Sequence, residues 1–286
     1  MISLKNLSFR YRGAEQNALS GINLEIPDGD FLGIIGSSGA GKSTLTYVLN
    51  GVVPHHYEGD FYGAALVNGL DTVDAGTERI ARELGSVFQD IDGQMVATVV
   101  EDEILFGLEN FQVPHAEIEE RLETALGAAG IGDLRYRALS TLSGGQKQKV
   151  AIAAITALRP KIIVLDEATG ELDPASSRQV FEFLRELNRQ FGITIIAVEQ
   201  KIMLLCEFAA HLAVMDRGSM ILHGTVTEVL QQPEILEEGG INIPRVTTLG
   251  KNLREQGLYA GTLPHDLGEA RRMVENLLPG RSNAAV

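Results

Sequence analysis

Eight consecutive residues, Gly36-Ser37-Ser38-Gly39-Ala40-Gly41-Lys42-Ser43, satisfy the spacing G-x-x-x-x-G-K-[ST] at every fixed position. An apolar run, Phe31 to Ile35, precedes them and a helix-forming segment, Thr44 to Asn50, follows. Strand, glycine-rich loop and helix together make a P-loop, which binds the phosphates of a nucleotide. Its glycines let backbone N–H groups turn inward around a β-phosphate, and the helix starting at Lys42 aims its partial positive end at the same anion. Lys42 adds a point charge at the β- and γ-phosphates. Ser43 offers a hydroxyl to Mg²⁺, a cation that takes oxygen ligands in near-octahedral geometry.

Two further stretches carry chemistry suited to the same ligand. Lys161-Ile162-Ile163-Val164-Leu165-Asp166-Glu167 is an apolar run ending in two carboxylates, the pattern of a buried parallel strand that delivers acids at its C-terminal end, as in a Walker B motif. Leu142-Ser143-Gly144-Gly145-Gln146 opens a helix over Lys147 to Leu158, with Ser143 as N-cap. Its two glycines leave first-turn N–H groups uncovered, a second helix N-terminus built to receive an anion.

The elements that must hold these groups follow from periodicity. Ile2 to Tyr11 and Leu19 to Ile26 alternate apolar and polar residues and predict antiparallel strands with one buried face. Tyr11 ends the first, upstream of the P-loop, where its ring either stacks on an adenine or packs across the strands; spacing does not separate the two. A strand is expected from Phe61 to Val67, after a surface loop containing His55 and His56, which lack the spacing of metal ligands. Gly85 to Gln89 predicts a short buried strand with a polar end. Residues 98–129 show helical periodicity broken at Pro114, a helical insertion in a sheet-based core. Pro174 opens a helix closed by Gly192; Ile193 to Val198, His211 to Met215 and Met220 to His223 complete the sheet. Beyond Pro233 the pattern weakens: an acidic, glycine-containing linker at residues 234–240 leads to amphipathic pieces at 246–256 and 266–278, and residues 281–286 are expected to fray.

Composition limits the alternatives. A chain of 286 residues suits one large α/β domain with a small appendage. The net charge of −14, from 38 acidic and 24 basic side chains without basic clusters, argues against a nucleic-acid partner. With 44% apolar residues but no uninterrupted apolar run near the roughly 20 needed to span a bilayer, and no signal-peptide layout at Met1, the chain is expected in the cytosol, reaching a membrane only through partners. A single cysteine, Cys206, forms no internal disulfide and is expected to be buried.

With Gly36–Ser43, Leu142–Gln146 and Ile162–Glu167 in this order, residues 1–230 resemble the nucleotide-binding subunit of ATP-binding cassette (ABC) transporters. The stretch Val87 to Glu103, continuing to Phe106-Gly107-Leu108-Glu109-Asn110, is similar to the glutamine-loop region of energy-coupling factor (ECF) ATPases. The tail, with Gly240-Ile241-Asn242-Ile243-Pro244, is similar to the C-terminal extension of that group. The resemblance implies an α/β P-loop NTPase core: a RecA-like sheet, an antiparallel β subdomain, a helical subdomain over about residues 90–158 and an extension over 231–286. It implies ATP and Mg²⁺ as cofactors. Tyr11 would stack on adenine, and Gly36, Ser37, Ser38, Gly39, Ala40, Gly41, Lys42, Ser43 and Thr44 would hold the phosphates and metal. Asp166 would anchor Mg²⁺, Glu167 would activate the attacking water, and Gln89 would touch the metal and γ-phosphate while reporting to a membrane partner. Ser143, Gly144, Gly145 and Gln146 would reach the nucleotide of an opposite protomer, and Asp173, in the loop Gly170 to Asp173, would cross that interface.

The implied partners are a second ATPase protomer, identical or not, a transmembrane coupling subunit and a substrate-binding membrane subunit, at the cytoplasmic face of the membrane. One position departs: Gln200 stands where the family places a histidine against the γ-phosphate. Glutamine donates a hydrogen bond but carries neither charge nor proton. Either turnover is slow, or a more competent partner site compensates, or glutamine suffices because Glu167 does most of the catalysis. The leading expectation is the motor of an ECF-type importer of a vitamin or transition metal ion. The alternatives are a conventional importer ATPase, a soluble cassette ATPase and a regulatory subunit of weak turnover.

Overall fold

The computed structural model describes residues 1–278. In chain order it contains β1 (Ile2–Tyr11), β2 (Leu19–Ile26), β3 (Phe31–Gly36), α1 (Lys42–Leu49), α2 (Val52–His55), β4 (Gly59–Val67), β5 (Leu70–Asp71), α3 (Thr77–Ile80), β6 (Leu84–Val87) and α4 (Ile91–Gln94). Then come α5 (Val100–Asn110), α6 (His115–Ala129), α7 (Gly144–Ala157), β7 (Ile162–Asp166), α8 (Pro174–Phe191), β8 (Thr194–Val198), α9 (Ile202–Phe208), β9 (His211–Asp216) and β10 (Ser219–Thr225). Four helices close the described chain: α10 (Val226–Leu230), α11 (Pro233–Glu238), α12 (Arg245–Glu255) and α13 (Leu267–Leu277). The fraying expected at residues 281–286 lies outside the described residues.

The strands form two sheets. One is antiparallel, in the order β2-β1-β4-β5; the other runs β10-β9-β3-β8-β7-β6, parallel except where β10 turns back along β9. Every residue of β7 and β8 is buried, as strands covered on both faces must be. Alternation divides their side chains between two cores. Leu32, Ile34, Ile162, Val164, Ile196 and Val198 join the antiparallel sheet and α1 (Leu45, Val48, Leu49), while Ile35, Ile163, Leu165, Ile195 and Ala197 pack toward α5 to α8. Five parallel strands thereby present their C-terminal ends on one edge, where open α/β sheets bind ligands.

The predicted α/β architecture is present, including the two helices split at Pro114. The α7 helix starts earlier than predicted, at Gly144, because Ser143 caps it. Two predictions differ. His55 and His56 are exposed, but Pro54 and His55 belong to the short helix α2, and His56 is its C-cap, rather than to a plain loop. The predicted linker at 234–240 is largely helix α11: Leu236, 0% exposed, belongs to the same core cluster as Ile163 and Leu165, and Ile241 joins it. An acidic outer face hid a buried stripe of two residues. Gln231 ties the next segment down, its Oε1 accepting from the Leu263 backbone N–H at 3.0 Å and its Nε2 donating to the Leu263 carbonyl at 3.2 Å.

Candidate nucleotide site at the ends of the parallel strands

The loop between β3 and α1 is held in a shape that only glycine allows at two points. Gly41 sits at φ +96°, and a Cβ there would lie 2.5 Å from the Ala18 carbonyl oxygen; at Gly36 a Cβ would lie 2.4 Å from the Met215 carbonyl oxygen. Gly41 is also the N-cap of α1 and provides no side-chain cap, so the first-turn N–H groups of α1 remain free to face an anion. Lys42, 5% exposed, folds back over the loop, and its Nζ donates to the carbonyls of Gly36 and Ser37, each at 3.1 Å.

Strands β7 and β8 bring the other groups to this loop. Asp166, 7% exposed, accepts through Oδ2 from the Thr46 hydroxyl at 3.1 Å; Oδ1 is buried without a hydrogen-bond partner. Burial pushes the Asp166 carboxyl above the usual carboxylate range, opposed by hydrogen bonds from Ser43 and Thr46. Thr46 was not foreseen, although it lies three residues after Ser43, on the same helical face. The next residue, Glu167, sits at φ +50°, a left-handed conformation that costs a non-glycine residue about 1–3 kcal/mol and turns the side chain back toward the loop. Its Oε1 lies 3.5 Å from Lys42 Nζ, and its Oε2 accepts from Gln200 Nε2 at 2.8 Å.

The remaining expected residues fall around this centre. Tyr11, at the end of β1, donates or accepts a 3.1 Å hydrogen bond with the buried Thr44 hydroxyl, and its ring meets Phe9 and Tyr57 edge to face, with centroids 4.9 Å and 6.1 Å away. The packing reading of Tyr11 is thus satisfied, with the ring still at the loop's margin. Ser37, Ser38 and Gln200 line a cavity of about 730 Å³ bounded on its far side by Gly240 to Ile243. Gln89 is exposed and is not brought to Ser43 or Asp166; it lines another cavity with Gly144 and Glu171.

Ser143, Gly145 and Gln146 line a third cavity, away from the P-loop. Ser143 Oγ accepts from the Gln146 N–H and Gln146 Oε1 accepts from the Ser143 N–H, a closed capping box. Asp173 caps α8, accepting from Ala175 N and Ser176 N; the Ser176 hydroxyl holds its carboxyl below the usual range. Cys206 is buried, its thiol pushed up to about 12 by desolvation, and is inert.

One chain therefore assembles Lys42, Ser43, Thr46, Asp166, Glu167 and Gln200 around an open helix N-terminus. Such a set binds a polyphosphate. The donor set of a hydroxyl and a carboxylate, with one buried carboxylate oxygen unpaired, fits a hard divalent cation such as Mg²⁺. Glu167, turned toward Lys42 and steadied by an amide, is the group able to take a proton from water.

Comparison with known proteins agrees with this geometry. Residues 19–170 match the family profile described as ABC transporter. The energy-coupling factor transporter ATP-binding protein EcfA1 of Clostridium perfringens is 39% identical, over 92% of this chain and 93% of its own length. The solved structure of cbiO1 from Clostridium perfringens, described as part of the ABC transporter complex cbiONQ, matches with a TM-score of 0.75 at 32% identity, covering 87% of this chain and 97% of its own. A dimeric bacterial ABC transporter cassette, MJ0796, matches with a TM-score of 0.68 at 26% identity, over 79% of this chain and 99% of its own. Three other relatives are longer, and the chain spans 43%, 39% and 46% of their lengths.

Proposed function

The chain belongs to the ABC transporter family, and on that premise we propose that it is the ATP-hydrolysing motor of an energy-coupling factor importer, taking up a vitamin or a transition metal ion. It is an ATP-binding ABC-type ATPase. The observation that carries the hydrolytic assignment is the meeting of Lys42, Glu167 and Gln200 across strands β3, β7 and β8. The ECF assignment is supported by likeness to EcfA1 across 93% of that protein, a match that takes in the extension beyond residue 230.

In the proposed reaction the N–H groups of the P-loop and of α1, with Lys42, hold and neutralise the phosphates. Hydrolysis needs positioning and charge stabilisation more than covalent chemistry. Glu167 accepts the proton of the attacking water, and Gln200 keeps its carboxylate aimed. Ser43 and Asp166 would hold Mg²⁺, which when bound offsets charge on the phosphate oxygens. Gln89 would join them only after its loop moves inward. Tyr11 would offer its ring to the adenine.

The proposed working form is a head-to-tail dimer, with an identical or related protomer, closed by ATP. In support, the capped N-terminus of α7 lines a cavity separate from the P-loop of its own chain, leaving Ser143 to Gln146 free to address another. Residues 1–230 would form the ATPase domain and 231–286 the extension. No helix among the described residues is long and apolar enough to cross a membrane. Attachment to the cytoplasmic face would come through a transmembrane coupling subunit and a substrate-binding membrane subunit, and no nucleic acid is involved. Affinity purification of the tagged chain from native membranes in mild detergent tests this. Recovery with a related ATPase and two membrane proteins supports the proposal, and recovery only on ribosomes refutes it.

A further inference from the structure

Three consecutive residues leave the end of β8, and all three grip the loop that follows β7. Gln200 donates to Glu167, as described. Glu199 Oε1 accepts from the Thr169 N–H at 3.0 Å and from the Thr169 hydroxyl at 2.7 Å. Lys201 Nζ donates to the carbonyls of Thr169 at 2.7 Å and Leu172 at 2.9 Å and to the Ser177 hydroxyl at 3.0 Å, a full complement of three bonds. The gripped loop begins with the base and ends at Asp173, the cap of α8.

These contacts are not generic surface bonds. Glu199 is 1% exposed and Thr169 0%, and Glu199 Oε2 has no hydrogen-bond partner. An acid buried with an unpaired oxygen is costly and is seldom kept for stability alone. Desolvation pushes the Glu199 carboxyl upward, as expected of a group whose neutral form suits its place. Lys201 directs its ammonium at neutral oxygens, so its charge is spent on fixing loop carbonyls rather than on an ion pair. Neither side chain makes a hydrogen bond to the P-loop, although both residues border the cavity lined by Ser37, Ser38 and Gln200.

We propose that Glu199 and Lys201 are positioning residues for hydrolysis, clamping residues 167–172 to the end of β8 so that the Glu167 carboxylate and the loop leading into α8 move as one unit. The clamp rests on the assignment of Glu167 as base. Through it, any displacement of the loop at Leu172 and Asp173 is carried back to the Glu167 carboxylate, and the base is aligned only when that loop is seated.

The test uses the whole chain in dimeric form, comparing Glu199→Ala, Glu199→Gln, Lys201→Met and Glu167→Gln. Measured quantities are kcat, KM for ATP, affinity for a fluorescent ATP analogue and thermal midpoint. Glu199→Ala and Lys201→Met should lower kcat by about ten- to a hundredfold, the scale of a misplaced reacting group, with nucleotide affinity within about twofold. Glu199→Gln should return kcat to within about threefold of the native enzyme, because its amide oxygen still accepts both Thr169 donors. Added to Glu167→Gln, Lys201→Met should cost no more in single-turnover hydrolysis, since no base remains to misalign. If Glu199→Ala does not fold, Lys201→Met and Glu199→Gln decide. Unchanged kcat in Lys201→Met, or an equal loss with and without Glu167, overturns the clamp alone. Full turnover in Glu167→Gln overturns the base assignment and the clamp with it.

Discussion

Replacing Gln200 by alanine removes one hydrogen bond, and its effect can be worked from the site. The 2.8 Å contact from Gln200 Nε2 to Glu167 Oε2 is the only side-chain hydrogen bond to that carboxylate among the described residues, beside the 3.5 Å ion pair with Lys42. A hydrogen bond to a charged group contributes about 1.5–3 kcal/mol when shielded. Gln200 is exposed, so solvent competes and about 1–2 kcal/mol is the reasonable share. If that share orients the base chiefly in the transition state, turnover falls about five- to thirtyfold, with KM for ATP nearly unchanged. Gln200→His should stay within about threefold of native, because an imidazole N–H replaces the amide donor. It should also add a rate dependence near pH 6.5, absent from the native enzyme, as the ring titrates. Phosphate release at saturating ATP, followed from pH 5.5 to 8.5, reads both effects. Full native turnover in Gln200→Ala would refute the argument that the amide aims the base.

Three further outcomes are expected. Glu167→Gln should reduce turnover by about 10²–10⁴-fold while leaving ATP binding intact, as measured by phosphate release and nucleotide titration. Leu236→Ala should cost about 2–5 kcal/mol in urea unfolding, since its fully buried side chain belongs to the main core; a loss below about 1 kcal/mol would return α11 to the status of a linker. Glu199 binds its proton more readily folded than unfolded, so its contribution to stability is complete below the ordinary carboxylate value, about 4, and declines as pH rises through its raised native value. Denaturation across pH 4 to 8 should therefore show Glu199→Gln gaining on the native chain as pH rises, and parallel curves would refute the assignment.

Much of the architecture was legible because it is written locally. The alternation of β1 and β2, the unbroken apolar runs of β7 and β8, and the glycines around Lys42 each declare themselves within ten residues. The contacts that shape the site are not local. Thr46 meets Asp166 across 120 residues and Glu199 meets Thr169 across 30, through a register that sets Asp166 opposite Val198. Periodicity reports which face of a strand is buried but not which residue stands alongside, so Gln200 could be read from resemblance while its hold on Glu167 could not. Helix α11 was missed for a different reason. Six residues give too few turns for a period, and Leu236 is buried by tertiary contact rather than by pattern.

The capping box that opens α7 has a consequence for how two protomers associate. Ser143 and Gln146 are already each other's partners, hydroxyl to N–H and amide oxygen to N–H. In the proposed dimer the box would keep its bonds, because it uses the Ser143 hydroxyl and the Gln146 amide only as acceptors and leaves the hydroxyl hydrogen, the amide NH2 and the Gly144 and Gly145 N–H groups to donate to the facing nucleotide. An N-terminal cap is worth about 1 kcal/mol, and that amount would be kept through the encounter, holding the donors of residues 143–146 in place before a nucleotide arrives. Separation of the proposed dimer would leave the start of α7 as it was, with no cap to rebuild.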